Sequence, residues 1–430
     1  MASDGWGVVG GAGCVRVNAL PGTPSEPPCA PGVPGTLRAE DLVRTPAGAL
    51  PREALLTTFV LDVAWTAHLL GPRCRTTVVA DADPSRTRTI ELSPRFTVVL
   101  APVGDGGTGG GGGDVDGAVS GMNASATNAT NTNQGKRTSP RPKKQPPRYQ
   151  RPLQHAKLMV LRFDDRVRVA VSSANLTPGD WDAVGQCVWA ADFARTDDLS
   201  TRGHFADALC AFLGTLLPRA QDALYWTSGY DTRSTPARPV YSAPGTAGRA
   251  GLTQLRTLLG AGAVRACTTL VAATSSLGVA HDAWRRLWPG AAPPAALRVV
   301  YPTAREMDAR AAGVFFCAPR AARAAEGLLA RLQWHDPRRT GLLSHAKTVF
   351  WLGGADGATP LAAYYGSANF SQAAWGAPGR DGALRANNYE LGVLLVPEPA
   401  ASPAAARALC PSPFVLPPPR YAPSDVPYQT

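Results

Sequence analysis

Two near-identical motifs restrict what this chain of 430 residues can fold into. His155-Ala156-Lys157 is followed, after an apolar stretch, by Ser173-Ala174-Asn175, with Trp181 six residues beyond the asparagine. The second copy reads His345-Ala346-Lys347, then Ser367-Ala368-Asn369, with Trp375 again six residues on. The His-to-Asn spacing is 20 in the first copy and 24 in the second. With six His and five Lys in the chain, two chance His-x-Lys pairs are expected in roughly two of every thousand such sequences, before the Ser-Ala-Asn echo is counted. Solvated strand edges explain a His and a Lys two apart, but not the shared element that follows. The chain therefore folds as two similar halves, each carrying one copy.

The residue types suit a phosphodiester. Residues i and i+2 of a strand project together, so each triplet presents an imidazole beside an ammonium. Two copies around one cavity bring together His155, His345, Lys157, Lys347, Asn175 and Asn369. The lysines neutralise the non-bridging oxygens and the charge that grows in the transition state, and the asparagine amides add directional donors. One histidine attacks phosphorus while the other protonates the leaving oxygen and then activates water. No acidic pair with metal-ligand spacing accompanies the motifs, and two ammoniums already supply positive charge, so neither a metal ion nor another cofactor is expected.

Lysine usage sharpens the picture. Of 43 basic residues five are Lys, and three of these (Lys136, Lys143, Lys144) lie in one segment. The other two are the motif lysines. The formal net charge is +11, and from 136 to 151 there are seven basic residues and no acid. Residues 104–151, a Gly/Asp run, an Asn/Ala/Thr run and then KRTSPRPKKQPPRYQR, bury too little apolar surface to offset chain entropy and read as a disordered insert. Its basic end is a nucleic-acid-attracting arm, a nuclear address or a solubilising loop.

Around the insert, strands and helices alternate, which argues α/β architecture. Strands are expected at Thr57–Leu61, Thr76–Ala80, Phe96–Ala101, His155–Phe163, Arg166–Ser172 and Gly185–Ala190, with helices near 63–70 and 201–217. Residues 226–250 read as a linker. Beyond it, strands are expected at Val264–Ala272, Leu297–Tyr301, Ala346–Leu352, Leu361–Gly366 and Asn388–Val396, with helices near 251–260, 281–288 and Ala321–Leu332. The domain reading is a loose Gly/Pro-rich leader over 1–34, an N-terminal domain over 35–235 and a C-terminal domain over 236–430. The Pro-rich tail from 398 is expected at the surface. No run of about 18 uncharged apolar residues is present, which speaks against a membrane-spanning helix. The N-terminus lacks the features of a secretory signal, and the eight scattered Cys read as reduced thiols of an intracellular protein.

The paired motifs resemble the tyrosyl-DNA phosphodiesterase branch of the phospholipase D superfamily. Ordinary members of the superfamily carry His-x-Lys-x4-Asp. Here Arg162 and Leu352 occupy the Asp slots, and the asparagine of Ser-Ala-Asn takes over, as in that branch. FVLDVAW (59–65), Gly185-Gln186, VVYPT (299–303), AAWG (373–376) and NYELGVL (388–394) extend the likeness. The resemblance implies two similar α-β-α domains with mixed sheets, related by a pseudo-twofold, with the active site at their interface. It implies His155 as a nucleophile forming a phosphohistidine with a DNA 3′ end, and His345 as general acid/base. Lys157, Lys347, Asn175 and Asn369 become the phosphate-binding set. Gln186 and Glu390 orient the two histidines, and Ser371 contacts DNA. The implied substrate is DNA with a blocked 3′ end, single-stranded or nicked, bearing a topoisomerase I-derived peptide. The expected setting is a monomer in the nucleus, away from membranes. An aromatic before the first motif histidine, which the family uses to stack on a base, is missing. Arg151 holds that place, with Tyr149 nearby. Two competing readings are another phosphodiesterase of the superfamily, acting on lipid or unmodified nucleic acid, and a non-catalytic DNA-binding relative. The absent Asp slots weigh against lipid, and the intact His/Lys pairs against loss of catalysis.

Overall fold

The apolar runs around the motifs become the central strands of two sheets. The computed structural model describes residues 13–30, 32–81, 89–101, 152–198, 202–245, 247–290, 297–307 and 314–429. The insert expected over 104–151, and with it Tyr149 and Arg151, lies outside the described residues. Along the chain the strands are β1 (Cys14–Asn18), β2 (Gly35–Leu37), β3 (Glu53–Thr58), β4 (Arg75–Ala80), β5 (Thr89–Ser93), β6 (Phe96–Leu100), β7 (Leu153–Gln154), β8 (Leu158–Arg162), β9 (Arg166–Ser172) and β10 (Cys187–Ala194). Then follow β11 (Arg238–Ser242), β12 (Thr269–Ala273), β13 (Ser276–Leu277), β14 (Leu297–Val300), β15 (Phe316–Cys317), β16 (Leu329–Ala330), β17 (Lys347–Gly353), β18 (Thr359–Gly366), β19 (Ala377–Pro378), β20 (Leu384–Arg385) and β21 (Asn388–Leu395).

The sequence repeat has a topological counterpart. In the first sheet β1-β10-β9-β8-β3-β4-β6 run side by side, and in the second β11-β21-β18-β17-β12-β14-β16. Along both paths the first four pairings are antiparallel and the last two parallel. β8-β9 and β17-β18, the pairs between His-Ala-Lys and Ser-Ala-Asn, occupy matching places. The first sheet takes its strands from before residue 195 and the second from after 237. β7 is the exception: it reaches over to pair with β21 in parallel.

Strand alternation explains why these runs are apolar throughout. Leu158 and Val160 face a cluster that also takes Phe350, Tyr365 and Val393 from the second sheet, and Phe205, Leu209 and Phe212 from the helix His204–Leu216. Met159 and Leu161 face the opposite way, onto Leu42, Leu70 and Trp181. In β17, Phe350 and Leu352 join the shared cluster, while Val349 and Trp351 pack with Leu255, Trp284 and Trp375. Strands buried on both faces lose the in/out polarity that one-sided strands show.

Several expectations are corrected. The leader over 1–34 is not loose throughout, because CVRVN forms β1, with Val15 and Val17 buried against β10. Its Gly/Pro-rich flanks hide so short an alternation. The linker over 226–250 contains β11, an edge strand that tolerates Pro239 because an edge needs no donor on its outer side. Residues 261–266 are helical, so strand β12 begins at Thr269 rather than Val264. The helix expected to Leu332 stops at Ala324, and Gly327, at φ +74°, turns the chain into β16. The Pro-rich tail buries Cys410 and Phe414. Among the described residues no helix is long and apolar enough to cross a membrane.

Candidate active site

Both triplets sit at the mouths of central strands. Lys157 immediately precedes β8 and Lys347 opens β17, so each histidine lies in the loop just before its strand. Within each triplet the lysine Nζ donates back to the histidine carbonyl, at 2.6 Å for Lys157–His155 and 2.7 Å for Lys347–His345. This bond, rather than strand pleating, ties each ammonium to its own histidine. The backbone around each histidine is anchored to the other half. His155 N donates to Tyr389 O at 2.9 Å, and His345 N donates to Gly185 O at 2.7 Å.

The side chains cross over in the same way. His155, from the first half, has Nδ1 2.9 Å from Glu390 Oε2, on β21. His345, from the second half, has Nδ1 3.2 Å from Gln186 Nε2 and 3.3 Å from its Oε1, just before β10. Each partner is held by the serine of its own Ser-Ala-Asn: Ser173 Oγ donates to Gln186 Oε1 at 2.7 Å, and Ser367 Oγ to Glu390 Oε2 at 2.5 Å. With Nδ1 engaged in both rings, Nε2 is the nitrogen left for chemistry.

The asparagines stand beside these pairs. Asn369 Oδ1 accepts from Thr274 Oγ1, Ser275 N, Ser275 Oγ and Ser276 N at 3.1–3.2 Å. That fixes its carbonyl end and leaves the NH2 end for a ligand. Asn175 Oδ1 accepts from Val60 N at 3.3 Å, whereas its Nδ2 donates to Asp180 Oδ2 at 3.1 Å. Ser371 caps the helix Gln372–Trp375 through its Oγ, which accepts from Ala374 N. Ser371 N donates to Asn369 O at 2.8 Å, two residues back in the chain.

Burial dominates the electrostatics. Lys157, Lys347, Gln186 and Glu390 are each at most 2% exposed. Loss of water penalises an ammonium, so burial pushes Lys157 down to about 8 despite the Glu390, Asp180 and Asp81 carboxylates. Lys347 falls well below the usual lysine range through burial and the Lys157 charge. Burial also lowers both histidines. Glu390 partly restores His155, while Lys347, Lys157 and His155 push His345 lower still. The Glu390 carboxyl is raised by burial, but His155 and Lys157 outweigh that and hold it ionised. Negative charge brought beside Lys157 and Lys347 therefore favours the protonated forms of both lysines and of His345. No cluster of three His, Cys, Asp or Glu placed to hold a metal ion occurs among the described residues.

Residues 33–422 match the tyrosyl-DNA phosphodiesterase family. The chain belongs to that family. It is accordingly a hydrolase of the phosphodiesterase type. Its fold is that of the yeast tyrosyl-DNA phosphodiesterase crystal structure, with a TM-score of 0.66 at 15% identity, covering 97% of this chain and 99% of that one. A histidine-to-asparagine variant of the yeast enzyme gives 0.64 at 14%, covering 92% and 96%. A search of curated proteins finds no match.

For a tyrosyl-DNA phosphodiesterase family member, the motif residues identified from sequence thus form one cluster. His155, Lys157 and Glu390 contact one another, as do His345, Lys347 and Gln186, and the charges of the two groups act on each other; Asn175 joins through Asp180, and Asn369 lies two residues after Ser367, which holds Glu390. Sequence reasoning missed Asp180, which accepts from Asn175 N at 2.8 Å and Gln186 Nε2 at 3.2 Å and lies 3.6 Å from His345 Nδ1. It also missed Asn18, whose Oδ1 accepts from Gln186 N at 2.8 Å, and Phe59, whose ring lies 5.6 Å from that of His155. The signal for Asp180 was an Asp five residues after the motif Asn. The second copy has Ala374 at that offset, so comparing the copies discards it.

Proposed function

We propose that this protein is a DNA-repair enzyme that hydrolyses 3′-phosphotyrosyl linkages, and other 3′-end adducts, through a covalent phosphohistidine. The observation that carries the reading is the crossed pair of histidines, Glu390 on His155 and Gln186 on His345, each tied to a buried lysine. The phosphodiester sits between the ammoniums, with the Asn369 amide beside it. Its negative charge opposes the Lys347 and Lys157 charges that depress His345, and so favours the protonated imidazolium. His155 Nε2 attacks phosphorus. A P–N bond forms as the P–O bond to tyrosine breaks, and His345 passes its proton to the departing phenolate oxygen. Neutral His345 then takes a proton from water while the water oxygen attacks phosphorus. The P–N bond breaks, His155 is restored and a 3′-phosphate end leaves. General acid–base help of this kind contributes about 10²–10⁴ in rate.

The same reading takes the protein as a monomer acting in the nucleus on single-stranded or nicked DNA that carries topoisomerase I-derived peptide. The test is incubation with an oligonucleotide bearing a 3′-phosphotyrosine in the presence of EDTA. Release of a 3′-phosphate end is expected. No turnover by folded protein, or turnover abolished by EDTA and restored by magnesium, contradicts the reading.

A further inference from the structure

The two copies place their carboxylates differently: the second half puts one on the histidine partner itself, Glu390, and the first puts one on Asp180, beside the amide Gln186. The helix Pro178–Asp182, whose N-terminus Thr177 caps, carries Asp180. Asp180 is buried, and its Oδ2 gathers three donors: Asn175 N at 2.8 Å, Asn175 Nδ2 at 3.1 Å and Gln186 Nε2 at 3.2 Å. Thr177 Oγ1 donates to Oδ1 at 3.2 Å. The same Oδ2 lies 3.6 Å from His345 Nδ1. One carboxylate oxygen therefore fixes a phosphate-flanking asparagine, fixes the amide that meets His345, and faces His345 itself. The equivalent position in the second copy is Ala374, which leaves Asn369 to be held by hydroxyls and backbone N–H groups instead.

We propose that Asp180 is the positioning residue of the acid–base half of the site: it orients Gln186 and Asn175 and supplies the counter-charge that His345 needs when protonated. The charged and titratable groups facing His345 are Lys347, Lys157 and His155, all cationic or able to become so, against this one carboxylate at short range. The proposal rests on the acid/base role given to His345 above. Asp180 touches neither nucleophile nor phosphate and acts only through its neighbours.

The test compares wild type, Asp180→Asn and Asp180→Glu in the full-length protein. Positioning partners of this kind are typically worth about 10–100-fold, so Asp180→Asn should lower kcat by about that factor with KM little changed. Removing a nearby negative charge lowers a histidine pKa, so the limb on which rate falls as His345 loses its proton should move to lower pH. Asp180→Glu should recover part of both. If Asp180→Asn does not fold, Asp180→Glu, which keeps the charge but displaces it, carries the comparison, with kcat and the limb departing from wild type in the same direction by less. A wild-type pH profile and kcat in every folded variant, whatever the melting temperature, overturns the proposal. NMR titration of the His345 ring in wild type and Asp180→Asn separates this from the substrate reading, because it needs no turnover. A lower titration midpoint in a wild-type protein background inactive on phosphotyrosyl DNA would retain the Asp180 assignment and remove only the substrate. An unchanged midpoint beside an active wild type removes the assignment alone.

Discussion

In the first half of the site His155 faces a carboxylate, Glu390, at 2.9 Å; in the second His345 faces a carboxamide, Gln186, at 3.2 Å, with the Asp180 carboxylate 3.6 Å away. The scaffolds are otherwise alike: a serine one residue chain-wise before Ala-Asn grips the partner, and the partner reaches to the other half's histidine. The difference separates the two chemical tasks. A carboxylate directly on Nδ1 keeps that nitrogen protonated and leaves Nε2 as a lone-pair nucleophile. It also stabilises the cationic ring once phosphorus is attached. An amide can either donate or accept, so Gln186 tolerates both protonation states that an alternating acid and base must visit. Matching folds thus yield unlike histidines through one strand position, Glu390 against Gln186, and one helix position, Asp180 against Ala374.

The largest effects should come from removing the rings. His155→Ala eliminates the nucleophile and should lower kcat by more than the ~10²–10⁴ that acid–base groups contribute. His345→Ala should fall within that range and leave the adduct unresolved. Near-normal turnover by His155→Ala in steady-state assays would reverse the roles assigned to the two halves. Exchanging the partners comes next. Glu390→Gln should cost about 10–100-fold in kcat, with slower adduct formation in single-turnover experiments. Gln186→Glu places a carboxylate on His345 and should chiefly slow adduct hydrolysis. Equal effects on both steps from both changes would show that the asymmetry has no catalytic meaning.

A smaller effect concerns pH. Lys157 is held down to about 8 by burial, and a phosphate needs its ammonium form. As pH rises through about 8, kcat/KM, which reports the free enzyme, should therefore decline more steeply than loss of the His345 proton alone requires. A kcat/KM that stays flat well beyond that pH contradicts the assignment. The smallest effect is structural. A Cβ on Gly185 would run into the Trp334 ring, where the loop before His345 docks on the first half. Gly185→Ala should lower stability by roughly 1–3 kcal/mol through overpacking, read as a drop in Tm, and should perturb His345 more than His155.

What the sequence disclosed follows from repetition. The strands β8, β9, β17, β18 and β21 were legible because burial on both faces makes them long apolar runs, and the motif residues because they occur twice. Features without a second copy escaped. Asp180 has Ala374 as its echo, and Asn18 lies on a five-residue strand in Gly/Pro-rich sequence. The crossing of Gln186 and Glu390 to the opposite halves is a tertiary fact. Spacing along the chain says that each follows a Ser-Ala-Asn, and only the docking of the two sheets says which histidine it meets. Likewise Gly327 and the helix 261–266 redirected segments whose apolar content alone suggested longer elements.

The central claim is that the crossed histidines divide into a nucleophile and an acid–base. Its most direct test is to mix His345→Ala with an oligonucleotide bearing a 3′-phosphotyrosine, quench under alkaline denaturing conditions that preserve phosphohistidine, digest, and locate the nucleotide-bearing peptide by mass. The account predicts an accumulating adduct on His155, absent from the His155→Ala/His345→Ala double variant. An adduct on any other residue, or substrate consumption with no adduct at any time, contradicts it.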